Sequence, residues 1–175
     1  FERWIGWQGD DFSEMGFDAA IEFQPLSLSV REYLNDNRIQ PVLKTDKISK
    51  LTRRIIRKLK RELRIKEPVA KMENLIDYSK FVDFDIQRKT PDYKIYPGVC
   101  PMWDHSSRRI NQESTIFINS TPDNFGRWYK AKVNKFQPFS ESENFIFINA
   151  WNEWAEGNHM EPCQKWGRQY LEALK

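Results

Sequence analysis

Two carboxylates three residues apart, Glu153 and Glu156, stand in the run Trp151-Asn152-Glu153-Trp154-Ala155-Glu156-Gly157. Holding a carboxylate against aromatic surface is costly, because burial disfavours the charged form and raises the pKa. Two such groups with split pKa values can act as acid and base on one sugar. The indoles of Trp151 and Trp154 supply flat apolar faces on which a pyranose ring can stack, with the Asn152 amide between them. The bland alternative is an exposed helix-start pair held by the helix dipole. Glu161, before Pro162, is either a third acid at this rim or the stop before a last helix.

Other chemistry-bearing residues also follow predicted strands. Trp103-Asp104 with Arg108 and Arg109 can fix sugar hydroxyls or an anionic group, since Arg offers bidentate geometry; the alternative is an Asp–Arg pair that holds a loop. Glu22 and Gln24 close one strand and Asn119 closes another. His159 reads as a structural histidine and Cys163 as a plain thiol.

The elements that must position these groups form an α/β pattern. Residues 17–23 alternate Phe17, Ala19, Ile21 and Phe23 against polar or small neighbours and stop at Pro25, which predicts a strand. Residues 94–100, 115–119 and 144–150 predict three more, the last an apolar run expected to be buried. Thr121 as N-cap and Pro122 in the first turn predict a helix carrying Phe125, Trp128 and Tyr129. Further helices are expected over 78–88 and 167–175, the latter with Tyr170, Leu171 and Leu174 on its apolar face. Residues 4–16 read as an irregular loop. Polar and aromatic residues gather at the C-terminal ends of all four strands, the active face of a (β/α) barrel. A doubly wound sheet would do the same, but its Gly-rich phosphate loop is absent. The expected fold is therefore α/β, the C-terminal part of a (β/α)8 TIM-type barrel spanning 1–175, with a helical insertion over 26–82.

Composition bounds the rest. At 175 residues, 30% charged and 14% aromatic, the chain is one folded domain. No apolar run is long enough to span a membrane as a helix. Cys100 and Cys163 form neither a disulfide framework nor a CxxC pair, and two histidines are too few for a His-rich metal site. No cofactor and no metal are expected. Isolated thiols fit a reducing compartment, so the expected location is the cytoplasm. The net charge of +3 hides a basic stretch at 50–66, where nine Lys/Arg face a lone Glu62. Leu51, Ile55, Leu59 and Leu63 give it an amphipathic helical stripe. Its readings are a solvated face, then peripheral contact with an anionic inner-membrane surface. Nucleic acid comes last, because no aromatic residue interleaves the charges.

Five segments carry a resemblance: FDAAIEFQP (17–25), YPGVCPMWDHSSRR (96–109), NSTPDNFGRWYKA (119–131), FINAWNEWAEGNHMEP (147–162) and GRQYLEALK (167–175). Together they resemble the C-terminal half of the WbsX-type proteins of bacterial polysaccharide biosynthesis, commonly described as glycosyltransferases, with a glycoside hydrolase family 99-like domain. The 26–82 stretch lies outside the matching segments. The resemblance implies a (β/α)8 barrel acting on glycans, with Glu153 as base on a sugar 2-hydroxyl and Glu156 as acid to the leaving oxygen through a 1,2-anhydro intermediate. His105 and Cys163 depart from the family's more usual polar residues. An N-terminal half of the barrel is expected as a missing partner.

These readings converge on a glycan-active enzyme of lipopolysaccharide or O-antigen biosynthesis, acting on an oligosaccharide or lipid-linked glycan. The rival from another class is a non-catalytic carbohydrate-binding or scaffold module. Nucleotide-dependent transfer has no support from a phosphate loop or a DxD motif.

Overall fold

The computed structural model describes residues 16–26, 28–37, 73–108 and 114–175. In chain order these form β1 (Ala20–Ile21), α1 (Leu28–Asp36), β2 (Glu73–Asp77), α2 (Tyr78–Gln87), β3 (Ile95–Tyr96) and β4 (Gly98–Val99). There follow β5 (Ser114–Ile118), α3 (Pro122–Lys135), β6 (Phe147–Ile148), β7 (Asn152–Glu153), β8 (Asn158–His159) and α4 (Gln169–Glu172). β1 pairs with β3, β2 with β5 and β4 with β6, all parallel. The fold is a parallel-stranded α/β arrangement.

Backbone hydrogen bonds order the strands. The carbonyls of Lys94 and Tyr96 accept from Ala20 and Glu22 at 2.9 and 3.0 Å. Those of Pro97 and Val99 accept from Phe147 and Asn149 at 2.9 and 3.0 Å. Alternate carbonyls of a strand point to opposite sides, so β3 and β4 are one strand interrupted at Pro97, with β1 on one side and β6 on the other. Three of the four predicted strands thus lie side by side and parallel.

The fourth, near 115, goes elsewhere. β5 aligns Ser114–Ile118 with Glu73–Asp77 of β2, a strand that the pattern of residues 26–82 did not announce. The reason is composition: Glu73, Asn74 and Asp77 are polar, and Leu75 is exposed. An edge strand of this kind lacks the alternation that marks a half-buried one. The described part of 26–82 also holds α1; the predicted basic helix at 50–66 lies outside the described residues. The last predicted strand is shorter than 144–150, and Phe147 is exposed rather than buried on both faces.

The main core lies where α2 and α3 pack over β5 and β4. Asp77 caps α2 by accepting the Lys80 N–H at 3.1 Å, and Tyr78, Phe81, Val82 and Asp85 form its buried stripe at the i, i+3, i+4, i+7 spacing. α3 begins as its sequence requires, with the Thr121 hydroxyl accepting from Asn124 N at 3.3 Å and Pro122 in the first turn. Phe81 meets Phe117 at 5.0 Å and Trp128 at 5.5 Å between ring centres. Gly126 lets α3 approach the chain end: a Cβ there would lie 3.2 Å from Ala173. Tyr170 of α4 is buried in this core, with Leu171 and Leu174 packed against it.

Candidate functional site

After β4 the chain lays Trp103-Asp104 antiparallel along β5, where Phe117 N donates to Trp103 O at 2.8 Å and Asp104 bridges to Ile116. After β6 it forms a small antiparallel hairpin, β7 against β8, closed by a 3-10 turn at Trp154–Glu156 and by Gly157 at φ +57°. The two excursions join where Asp104 N donates to Glu156 O at 2.7 Å. A Cβ on Gly157 would lie 3.3 Å from Asp104 Cβ, so glycine serves both the left-handed turn and the close approach.

The paired carboxylates sit on this hairpin, at the end of β7 and in the turn. Arg108 Nη1 lies 2.8 Å from Glu156 Oε1 and 3.7 Å from Glu153 Oε1, so one guanidinium spans both acids. Their side chains are 43% and 21% exposed. The hairpin meets a cavity of about 810 Å³ through Trp154, Gly157 and His159, with Trp103, Asp104, Asn119 and Trp166 also in its wall; Glu153 and Glu156 adjoin these residues in sequence but do not line it. Trp154 is 50% exposed; one face stacks on His159 at 3.6 Å and its Nε1 donates to Glu161 at 2.6 Å. The indole is thus locked in place with surface to spare. Burial holds the His159 imidazole below its ordinary pKa, against the pull of Glu161.

The residues singled out from sequence therefore divide. Glu153, Glu156, Asn152, Trp151, Trp154 and Glu161 share the hairpin and its continuation, with Trp151 and Asn152 exposed. Asp104 and Asn119 face the same cavity as Trp154. Asn119 is fastened to the end of β2, its Nδ2 donating to Asp77 at 2.8 Å, and this bond holds the Asp77 carboxyl below its ordinary pKa. Trp103 is only 2% exposed, its Nε1 donating to His105 Nδ1 at 3.2 Å, so it floors the cavity as a core residue rather than offering a free stacking face. Arg109 lies outside the described residues. Sequence reasoning gave Arg108 no role apart from Arg109; the signal available was the SSRR run ending the Trp103-Asp104 segment.

Glu22 belongs to another place. It is buried against Lys132 at 2.7 Å and Arg88 at 3.3 Å, and its Oε2 accepts the Gly98 N–H at 3.2 Å. Lys132 also pairs with Asp85 at 2.7 Å, and Trp128 Nε1 donates to Asp85 at 2.7 Å. Burial pushes the Glu22 pKa up, with Lys132 opposing it. Burial pulls Lys132 down, yet the two carboxylates override it and its pKa rises. This cluster lines a second cavity of about 530 Å³ between α2 and α3 and does not face the first. Gln24 donates to Ser29 at 2.9 Å within the fold.

The profile of the family Glycosyltransferase WbsX matches residues 3–174. The chain belongs to that family. The match includes the 26–82 stretch that the motif segments had left out. Two relatives, both the uncharacterized protein WxcX from strains of Xanthomonas campestris pv. campestris, are 28% identical over 172 residues. Those alignments cover 97% of this chain and 21% of each relative, so the chain spans about a fifth of their length. No solved structure matches the chain. Among the described residues, no helix is long and apolar enough to cross a membrane.

Proposed function

We propose that this chain is part of a glycan-active enzyme of bacterial cell-surface polysaccharide biosynthesis, within a (β/α)8-type barrel, that makes or cleaves a glycosidic bond. Glu153 acts as the base and Glu156 as the acid. The observation that carries the reading is the pair itself: two carboxylates within reach of one guanidinium, beside a cavity with an immobilised, half-exposed indole. Trp154 supplies a stacking face for a sugar ring, and Asp104 and Asn119 supply hydroxyl contacts.

A general acid must carry its proton when the leaving oxygen arrives, so Arg108 leaves Glu156 as substrate enters and turns toward the sugar or an anionic substituent on it. Glu153, freed on its side, takes the proton of the sugar 2-hydroxyl as that oxygen closes on the anomeric carbon, and Glu156 gives its proton to the leaving oxygen. The acceptor then opens the 1,2-anhydro ring, losing its proton to Glu156 while Glu153 returns its own to the 2-oxygen. The acceptor decides the outcome: water gives cleavage, a sugar hydroxyl gives transfer. Contact of the 50–66 segment with an anionic membrane surface would bring the site to lipid-linked glycans. A non-catalytic binding module is favoured by one observation only, that Arg108 neutralises the pair in the resting site.

The test uses the full-length protein on a lipid-linked or released surface oligosaccharide. Glu153→Gln and Glu156→Gln should each lower turnover by about 10²–10⁴-fold with the melting temperature unchanged. Wild-type rates in both variants would remove the assignment.

A further inference from the structure

The Asn158 side chain is 0% exposed, and neither its Nδ2 nor its Oδ1 has a hydrogen-bond partner among the described residues. Leaving a buried donor and acceptor unpaired is destabilising, so an amide in this state calls for an explanation. Its register supplies one. In the β7–β8 hairpin Asn158 is the direct cross-strand partner of Glu153, and Asn152 is that of His159. Residues directly opposite in an antiparallel pair project from the same face with Cβ atoms about 5 Å apart. Among the described residues, Glu153 has its one ion-pair partner in Arg108 at 3.7 Å, whereas Arg108 binds Glu156 at 2.8 Å.

We propose that Asn158 is the positioning residue of Glu153, its Nδ2 amide donating to the Glu153 carboxylate in the working site. When Arg108 turns to substrate, Glu153 loses its weak partner and the buried amide becomes its anchor. A hydrogen bond to a charged acceptor is shorter and stronger than one between neutral groups, enough to fix which oxygen meets the sugar hydroxyl. The inference rests on Glu153 being the base, but its contact can be read without turnover.

In full-length Arg108→Gln protein carrying ¹⁵N-labelled asparagine, where Glu153 has lost its cation as it does in the working site, the Asn158 side-chain amide signal should move as pH is taken through the carboxylate range. That movement should vanish in Glu153→Gln. A signal that never moves, or one that moves equally in Glu153→Gln, overturns the proposal. In addition, Asn158→Leu, of similar volume but without a donor, should lower kcat about tenfold or more with KM little changed; an unchanged kcat also overturns it. If Asn158→Leu fails to fold, the comparison of Arg108→Gln with and without Glu153→Gln decides alone. Failure of the base assignment is distinguishable: Glu153→Gln would then keep its turnover while the amide coupling remained readable.

Discussion

Two groupings among the described residues, each with one cation shared by two carboxylates, are built in opposite ways. Around Glu22 the charges are buried, multiply bonded and enclosed between α2, α3 and the sheet. Around Glu153 and Glu156 they are part-exposed and share one long, half-exposed guanidinium. A buried pair is held because losing one partner strands a charge without water, whereas an exposed pair exchanges partners at little cost. Glu22 therefore serves the fold, whereas the hairpin carboxylates can change partners at little cost.

The largest test of that contrast is Lys132→Met. It leaves Glu22 and Asp85 buried together with their shared cation gone, and should cost about 3–5 kcal/mol in denaturant unfolding. Adding Glu22→Gln and Asp85→Asn should recover part of the loss. A cost near zero would mean that the cluster is no better tied than the hairpin.

Next comes Gly98→Ala. A Cβ at this position would fall 1.8 Å from the Glu22 carbonyl oxygen, a backbone atom that can move only with its strand. Expected destabilisation is about 3 kcal/mol in thermal or chemical unfolding, at the upper end for overpacking. A neutral outcome would show that β1 and β4 separate freely beside Glu22.

A smaller effect belongs to His159. Its folded pKa lies below the ordinary value of 6.5, so the neutral ring is favoured by folding. The resulting stability is full above about pH 6.5 and is lost as pH falls toward the folded value, because the unfolded chain takes up the proton first. Melting temperature should thus decline on acidification below about pH 6.5, and His159→Phe, which keeps a ring on Trp154, should flatten that decline. An identical pH profile in the variant would break the link.

The smallest effect should come from Arg108→Gln, which stays within about 0.5 kcal/mol in stability, as exposed ion pairs do. A loss as large as that of Lys132→Met would erase the distinction between the two groupings.

How much of this was legible in the sequence depended on where the signal resides. Thr121-Pro122 announced α3 because caps are local chemistry, and the apolar spacing in 167–175 pointed to Tyr170, Leu171 and Leu174 though the helix itself is one short turn. The grouping of carboxylates and indoles on the hairpin was legible because they are adjacent in sequence. Strand β2 was not, since its polar composition mimics a loop and only its pairing with β5 makes it a strand. Glu22 and Trp103 follow their strands just as Asp104 and Asn119 do, and nothing in local sequence says that the first two are enclosed. That is decided by Lys132 and by β5, far along the chain.

The pairing distances along the chain have a consequence for how the molecule comes into being. Ala20 meets Ile95, Glu73 meets Ser114 and Gly98 meets Phe147, so every parallel contact must wait for a long loop to close. On the ribosome, β1 emerges well before its partner, and β4 well before β6. The aromatic packing of α2 on α3 joins Phe81 to Trp128 across an interval no shorter than that between Glu73 and Ser114, so helices and sheet assemble together, with β1 waiting longest for its partner. Phe17, Phe145 and Phe147, exposed in the finished fold, are then the rings most in need of cover while synthesis proceeds.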